Sequence, residues 1–210
     1  MKLVRINVDR QTTKEEVPPD VYRSIGGRAF SSHWIAEHIP PDSEPLGGRN
    51  QLVIVPGLLA GTPASSIHRL SVGAKSPLTD GIKESNSGGN VALKLARLGI
   101  KALVLEGAPK EGRLRIVHLS NQGVRIESGD DSKGLGTKES AERLHQRYGD
   151  DTALMVVGPV GEMHMPTAAI LNSDREGFPA RVCGRGGMGA VMAAKSIKAV
   201  VIDDTDTSSV

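Results

Sequence analysis

The chain has 210 residues, 38% of them hydrophobic and 24% charged, with a formal net charge of +2. This composition excludes a disordered chain and suits one soluble globular domain with a sizeable core. Near-neutral charge, with Lys and Arg scattered in ones and twos, argues against a nucleic-acid or membrane surface. Phe30, Phe178, Tyr22, Tyr148 and Trp34 are the only aromatics, too few for a base-stacking platform. A single cysteine, Cys183, permits no intrachain disulfide and no thiolate metal site from this chain alone. Met1 to Val8 alternates charged and apolar residues, unlike a signal peptide, and no apolar run approaches a membrane span. A cytoplasmic protein is expected.

In chain order, Leu3 to Asp9 reads as a strand ended by a polar turn. Pro18-Pro19-Asp20 opens a helical stretch that Gly26-Gly27 interrupts. A second helix runs from about Arg28 to His38, stopped by Pro40-Pro41. Gln51 to Pro56, Ile67 to Ala74 and Ile82 to Ser85 read as strands, the last two joined by the turn Pro77 to Gly81. Val91, Leu95 and Leu98 have helical spacing, and Gly99 suits a helix end. Ile100 to Glu106 is a strand, and Arg113 to Leu119 with Val124 to Glu127 predicts a hairpin. Thr137 is expected to cap a helix that ends at Gly149. Ala153 to Val157, Thr167 to Leu171 and Ile197 to Asp203 are strands, with a short helix at Met188 to Ala194.

One pattern occurs twice. Asn86-Ser-Gly-Gly89 leads through a helix into Ile100-Lys-Ala-Leu-Val-Leu105. Gly184-Arg-Gly-Gly187 leads through a helix into Ile197-Lys-Ala-Val-Val-Ile202. Upstream of each lies an apolar strand ending in Gly and Pro, Val53 to Gly57 and Met155 to Pro159. The spacing of about a hundred residues is too long for a solenoid. The expected fold class is therefore α+β: two β-sheets with a few short helices in an internally duplicated, pseudo-two-fold domain. That domain spans 1–204, in intertwined halves of roughly 1–107 and 108–204, followed by a polar tail at 205–210. Two equivalent Gly-Gly helix N-termini would then face one pseudo-symmetric ligand.

Helix N-termini carry free N–H groups and a partial positive charge, so they attract phosphate. Arg69, Arg181 and Arg185 can add bidentate contacts to an anion. Gly184 to Gly189 fits G-x-G-x-x-G, with Asp203 near the place of a ribose-binding acid. The preceding segment from Asp174 to Arg181 looks like loop, however, and a dinucleotide fingerprint should follow a strand directly. The six histidines, His33, His38, His68, His118, His145 and His164, show no metal-ligand spacing. Cys183 has no placed base and reads as a small structural residue. Glu162 reads as part of a turn, and Asp130-Asp131 and Asp150-Asp151 as solvated loop charges. No catalytic residue is assigned to this chain.

Six segments carry a family resemblance: Gly26-Gly-Arg28, Arg69-Leu-Ser-Val72, Lys75-Ser-Pro-Leu-Thr79, Asn86-Ser-Gly-Gly89, Val157-Gly-Pro-Val-Gly-Glu162, and Cys183 to Met192 with Lys195. Their order and spacing resemble the N-terminal domain of the tungsten- or molybdenum-containing aldehyde:ferredoxin oxidoreductases. Departures occur at Ala29, at Ser66-Ile67-His68, at Phe178-Pro179 and at Cys183. The resemblance implies a base of two sheets that cradles a tungstopterin or molybdopterin (bis-pterin) cofactor. It implies that Arg69, Gly88, Arg181, Gly184, Arg185 and Gly186 line the cofactor. It further implies that main-chain carbonyls of Asn86 and Val182 help hold Mg²⁺ between the pterin phosphates, a role that suits hard oxygen ligands.

The family's iron–sulfur cluster needs four cysteines, so no such cluster is expected on this chain. The implied partners are C-terminal cluster-carrying domains or a separate subunit, and through them a ferredoxin-like acceptor. A homodimer is open, and neither nucleic acid nor membrane is expected. The alternatives are a non-catalytic pterin-binding module and a truncated remnant.

Overall fold

The computed structural model describes residues 1–109, 112–205 and 207, so most of the expected polar tail at 205–210 lies outside the described residues. The first half comprises β1 (Lys2–Asn7), β2 (Thr12–Glu16), α1 (Gly27–His38), β3 (Leu52–Pro56), β4 (Leu70–Lys75), β5 (Ile82–Ser87), α2 (Val91–Arg97) and β6 (Ile100–Glu106). The second comprises β7 (Arg115–Ser120), β8 (Gly123–Ser128), α3 (Thr137–Tyr148), β9 (Ala153–Val156), α4 (Pro159–Glu162), β10 (Ile170–Asn172), β11 (Arg181–Cys183), α5 (Met188–Ala194) and β12 (Ile197–Ile202).

Each half builds its own six-stranded mixed sheet, and the two topologies are the same. The first sheet runs β2-β1-β6-β3-β4-β5, and the second, read from the other edge, runs β8-β7-β12-β9-β10-β11. In each, the first and last strands of the half pair in parallel and all other pairs are antiparallel. Even the irregularity repeats. The parallel register shifts between Lys2 and Leu3 in one sheet, and between Ile197 and Ala199 in the other. The internal duplication read from the repeated Ile-Lys-Ala segments is thus present at the level of topology.

The alternation of strand side chains sets the layers. Val4, Ile6, Leu52, Ile54, Leu103 and Leu105 point to one face of the first sheet, into a core shared with Met155, Val200 and Ile202 of the second. Leu3, Val53, Val55 and Val104 point to the opposite face, where Phe30, Trp34 and Ile35 of α1 cover them. On the second sheet, Ile116, Leu154, Val156 and Val201 meet Ala141 and Leu144 of α3. Between the sheets lie α2 and α5, which send Val91, Leu95, Met188, Val191 and Met192 into the shared core. All of α5 is buried, which explains why its residues are apolar or small on every side.

Buried lysines lock this stack. Lys195 donates to the carbonyls of Asn50 (2.6 Å) and Gly107 (3.0 Å), joining distant segments. Lys101 and Lys198 sit at equivalent positions beside the two register shifts. Lys101 donates to Arg23 O at 3.2 Å, whereas Lys198 donates to Leu135 O at 3.0 Å and pairs with Glu162 at 2.6 Å. Glu162 also accepts from Gly134 N–H. It closes a short helix, α4, rather than the turn expected from Gly158-Pro159.

Other differences from the sequence expectations have local causes. β2, whose residues are almost all exposed, is a further strand that the sequence pattern does not mark. The stretch after Pro18 makes only a 3₁₀ turn at Asp20–Tyr22. Thr137 is the first helical residue of α3, and Gly136 takes the cap position with its N–H bonded to Glu139 Oε2 at 3.1 Å. β4 and β10 begin at Leu70 and Ile170, three residues later than expected. In the second case Ala168 O is taken by Gly189 N–H. Among the described residues, no helix is long and apolar enough to cross a membrane.

Candidate functional site

The edge strands β5 and β11, equivalent by topology, approach each other across the two halves. Arg185 N–H donates to Ser85 Oγ at 3.1 Å, and Asn172 Nδ2 donates to Ser87 Oγ at 2.5 Å. Behind them, Asn90 N–H bonds Ser173 O at 3.1 Å and Ser173 Oγ donates to Asn90 Oδ1 at 2.6 Å. In each sheet the edge strand pairs with its neighbour in equivalent register: Asn86 lies opposite Ser71, and Val182 opposite Leu171.

Two cavities open at this junction. The larger, about 550 Å³, is lined by Arg69, Glu84, Ser85, Asn86, Val182, Gly184 and Arg185. The smaller, about 270 Å³, has Arg69, Gly88, Gly89, Arg181, Asp174 and Arg175 on its walls. Arg69 is common to both. Its Nε donates to Asn86 Oδ1 at 2.7 Å, and Asn86 Nδ2 donates to Ser71 Oγ at 3.1 Å, so the guanidinium is held over β5. The structure thus brings Arg69, Asn86, Gly88, Arg181, Val182, Gly184 and Arg185 together from sequence positions about a hundred apart.

The glycines divide into two kinds. A Cβ on Gly88 would meet only the Arg69 guanidinium at 3.6 Å, and one on Gly184 only its neighbour Val182 at 3.2 Å. Both line the cavities without a side chain, although a Cβ on Gly184 would be tight against Val182. A Cβ on Gly89 would lie 2.3 Å from Ser173 O, and one on Gly187 2.3 Å from Pro166 O. Gly186 is buried against Lys83, and its carbonyl accepts from Ser76 Oγ at 2.8 Å. Gly186 therefore stands behind the cavity wall, not on it. The expected pair of Gly-Gly helix N-termini facing a ligand is corrected for α5, which begins inside the core with Gly186 and Gly187 in close packing, whereas Gly88, Gly89 and Asn90 at the start of α2 line the smaller cavity.

The dinucleotide fingerprint is excluded, although one premise against it changes. A strand, β11, does precede Gly184; it is three residues long, too short to stand out in the sequence. But β11 is antiparallel to β10, and β9 and β10 separate it from β12. No parallel strand-helix-strand unit exists there. Cys183 is fully buried, and burial pushes its thiol pKa up, which suits a structural residue. Among the described residues no group of three His, Cys, Asp or Glu side chains could hold a metal.

Sequence reasoning missed Glu84 and Ser85. β5 reads Ile-Lys-Glu-Ser-Asn-Ser, which looks like a solvated edge; its second partner is supplied by the other half of the chain.

Comparison with known proteins agrees with this architecture. The sequence profile described as "Aldehyde ferredoxin oxidoreductase, N-terminal domain" matches residues 3–204. The chain is 31% identical over 204 residues to the tungsten-containing aldehyde ferredoxin oxidoreductase of Pyrococcus horikoshii, covering 96% of this chain and 32% of that protein. It is 27% identical over 218 residues to the aliphatic sulfonate oxidoreductase, WOR-like subunit, of Pyrococcus furiosus, covering 95% and 34% respectively. A solved structure of the active site complex BamBC of benzoyl coenzyme A reductase, in complex with 1,5-dienoyl-CoA, superposes with a TM-score of 0.88 at 27% identity. That match covers 96% of this chain and 30% of the other. The chain spans about a third of the length of the curated relatives it matches.

Proposed function

Because the chain belongs to the aldehyde ferredoxin oxidoreductase N-terminal domain family, we propose that it holds the pterin cofactor of a tungsten- or molybdenum-dependent oxidoreductase in the cavities between β5 and β11. The observation that carries this reading is the convergence of Arg69, Arg181 and Arg185 on two cavities that share Arg69 and have Gly88 and Gly184 in their walls.

The residues present fit such a group. Guanidinium forks match phosphate oxygens, and the lack of a side chain at Gly88 and Gly184 lets an anion approach the main chain. Main-chain carbonyls of Asn86 and Val182, at equivalent positions on the two edges, would serve a Mg²⁺ ion between two pterin phosphates. When bound, the cofactor supplies the metal-centred two-electron chemistry. The chain's own part is to orient it and set the charge around its phosphates.

Aldehydes or related oxo compounds as substrates, and a ferredoxin-like acceptor, follow from the relatives and belong to the whole enzyme. A four-cysteine cluster needs ligands from beyond Cys183, so it would reside on C-terminal domains or a second subunit. Two loops at equivalent places fit such a partner. Residues 57–69 expose Leu58 and Leu59, and residues 157–169 expose Val160, Met163 and Met165, an apolar display suited to being covered. A cytoplasmic location is part of the proposal.

The test is to purify the chain with its partner domains and assay tungsten, molybdenum and, after oxidation, pterin fluorescence. Metal and pterin in stoichiometric amount are expected. Protein with neither would overturn the proposal, while pterin retained without aldehyde-dependent dye reduction would point to a binding module.

A further inference from the structure

The larger cavity contains a group that phosphate binding alone leaves unexplained. Glu84 is the only carboxylate among the described residues that line it. The Oε2 atom is buried and has no hydrogen-bond partner among the described residues. Its other oxygen lies 3.8 Å from Arg28, whose side chain is 76% exposed, while that of Glu84 is 17% exposed. That distance is too long for a hydrogen bond. Alternation along β5 places Glu84 on the same side as Asn86, with Ser85 and Ser87 buried between and beyond them. The Asn86 amide accepts from Arg69 and donates to Ser71, and among the described residues it makes no hydrogen bond to Glu84 Oε2.

A buried carboxylate oxygen without a donor is costly. A phosphate group is mostly dianionic at neutral pH, so it is a poor donor and its charge repels the carboxylate. A hard divalent cation removes both difficulties, because it takes carboxylate and phosphate oxygens together. Among the described residues there is no cluster of three His, Cys, Asp or Glu side chains for such an ion, which favours cation and phosphate entering the site jointly. We propose that Glu84 makes phosphate binding in this cavity depend on a divalent cation, which the carboxylate shares with the ligand's phosphate oxygens. The inference rests on reading the cavity as a phosphate site, and it adds a side-chain ligand to one that otherwise uses only main chain. Binding linkage is reciprocal, so phosphate should raise the affinity for the cation by the same factor.

The experiment is calorimetric titration of pyrophosphate into the full chain, with Mg²⁺ or with a chelator. A carboxylate and a phosphate charge about 6 Å apart at an effective dielectric constant of about 20 repel by about a hundredfold in affinity, and solvent access reduces this toward tenfold. Mg²⁺ is therefore expected to tighten pyrophosphate binding by about tenfold or more in the unmodified chain. Glu84→Gln and Glu84→Met should both bind pyrophosphate more tightly than the parent in chelator and lose most of the Mg²⁺ effect. Thermal melts check that each variant folds, and either neutral variant suffices. Arg69→Ala should weaken binding under all conditions, which locates the signal in this cavity. An Mg²⁺ effect of equal size with and without the Glu84 carboxylate would overturn the inference but leave the phosphate site standing. No pyrophosphate binding by any of the proteins in either buffer would overturn the phosphate site and the inference together.

Discussion

Lys195 should make the fold more stable in alkaline than in neutral solution. The side chain is 1% exposed and donates to two carbonyls from distant parts of the chain, those of Asn50 and Gly107. Burial pushes its pKa down to about 7, against the weaker opposing pull of Glu106 and Asp9. The unfolded chain keeps an ordinary lysine, which holds its proton to about pH 10. Between those values the unfolded state binds more protons than the folded one, so unfolding free energy rises with pH. The penalty for burying the charge is full below the folded pKa and is relieved as pH climbs toward the unfolded value.

Each pH unit in that window is worth up to about 1.4 kcal/mol, so moving from about pH 6.5 to about pH 9 should add about 2–3 kcal/mol. Tyr22 and Tyr148, both held above the usual tyrosine range by burial and by Glu37 and Glu127, do not ionise in that window. Urea unfolding at the two pH values, for the parent and for Lys195→Met, isolates the lysine because all other titrations cancel in the difference. The parent should gain stability with pH by about 2–3 kcal/mol more than the variant. Parallel profiles for the two proteins would refute the depressed pKa.

Gly89→Ala should cost about 3 kcal/mol or more, seen as a lowered melting temperature, because φ is +104° and the new Cβ would lie 2.3 Å from Ser173 O. Gly99→Ala, at φ +70° with nothing within 4 Å of the added Cβ, is the control and should cost about 1–2 kcal/mol. Glu162→Gln removes the carboxylate charge paired with the fully buried Lys198, leaving it neutral acceptors, and should destabilise by about 3 kcal/mol. Adding Lys198→Met should recover much of that loss in denaturant titrations; failure to recover would mean the pair is not the cause. Arg185→Ala should weaken pyrophosphate binding about tenfold with little change in melting temperature, since among the described residues Arg185 bonds through its main-chain N–H and not its side chain. A large drop in melting temperature would show that the guanidinium is structural.

What could be read from the sequence follows from the range of the forces involved. β6 and α5 begin and end where apolar periodicity and glycine placed them, because their signals are local and strong. β11 was not visible because an edge strand of Arg-Val-Cys carries no alternation to detect. Sheet order was out of reach, since pairing β1 with β6 across some hundred residues depends on no short motif. Arg181 and Arg185 could be picked out by residue type near glycines, and Arg69 by its place before a strand. Glu84 could not, because the burial of its Oε2 is set by what surrounds β5 in the folded chain. Gly186 shows the converse: its sequence context matches Gly88, yet Lys83 and Ser76 fill the space beside it.

The duplication is complete in topology and broken in chemistry. Arg5 lies opposite Lys14 and Val104, and His118 occupies the same place opposite Arg125 and Val201. Arg5 pairs with Glu106 at 2.5 Å. His118 stays 4.0 Å from both Glu127 and Asp203, its pKa held down by burial and by Arg125. The candidate site shows the same divergence. On the first edge, Asn86 fixes Arg69 through a side-chain bond; on the second, Val182 has no polar side chain and the arginines flank it in sequence. A ligand with two like halves would therefore meet two unlike edges. Removing Arg69 frees the Asn86 amide as well as a charge, whereas removing Arg185 takes away a charge alone. The two deletions should differ in their effect on anion affinity even though topology makes the edges equivalent, which is what a domain holding one pseudo-symmetric cofactor in one defined orientation requires.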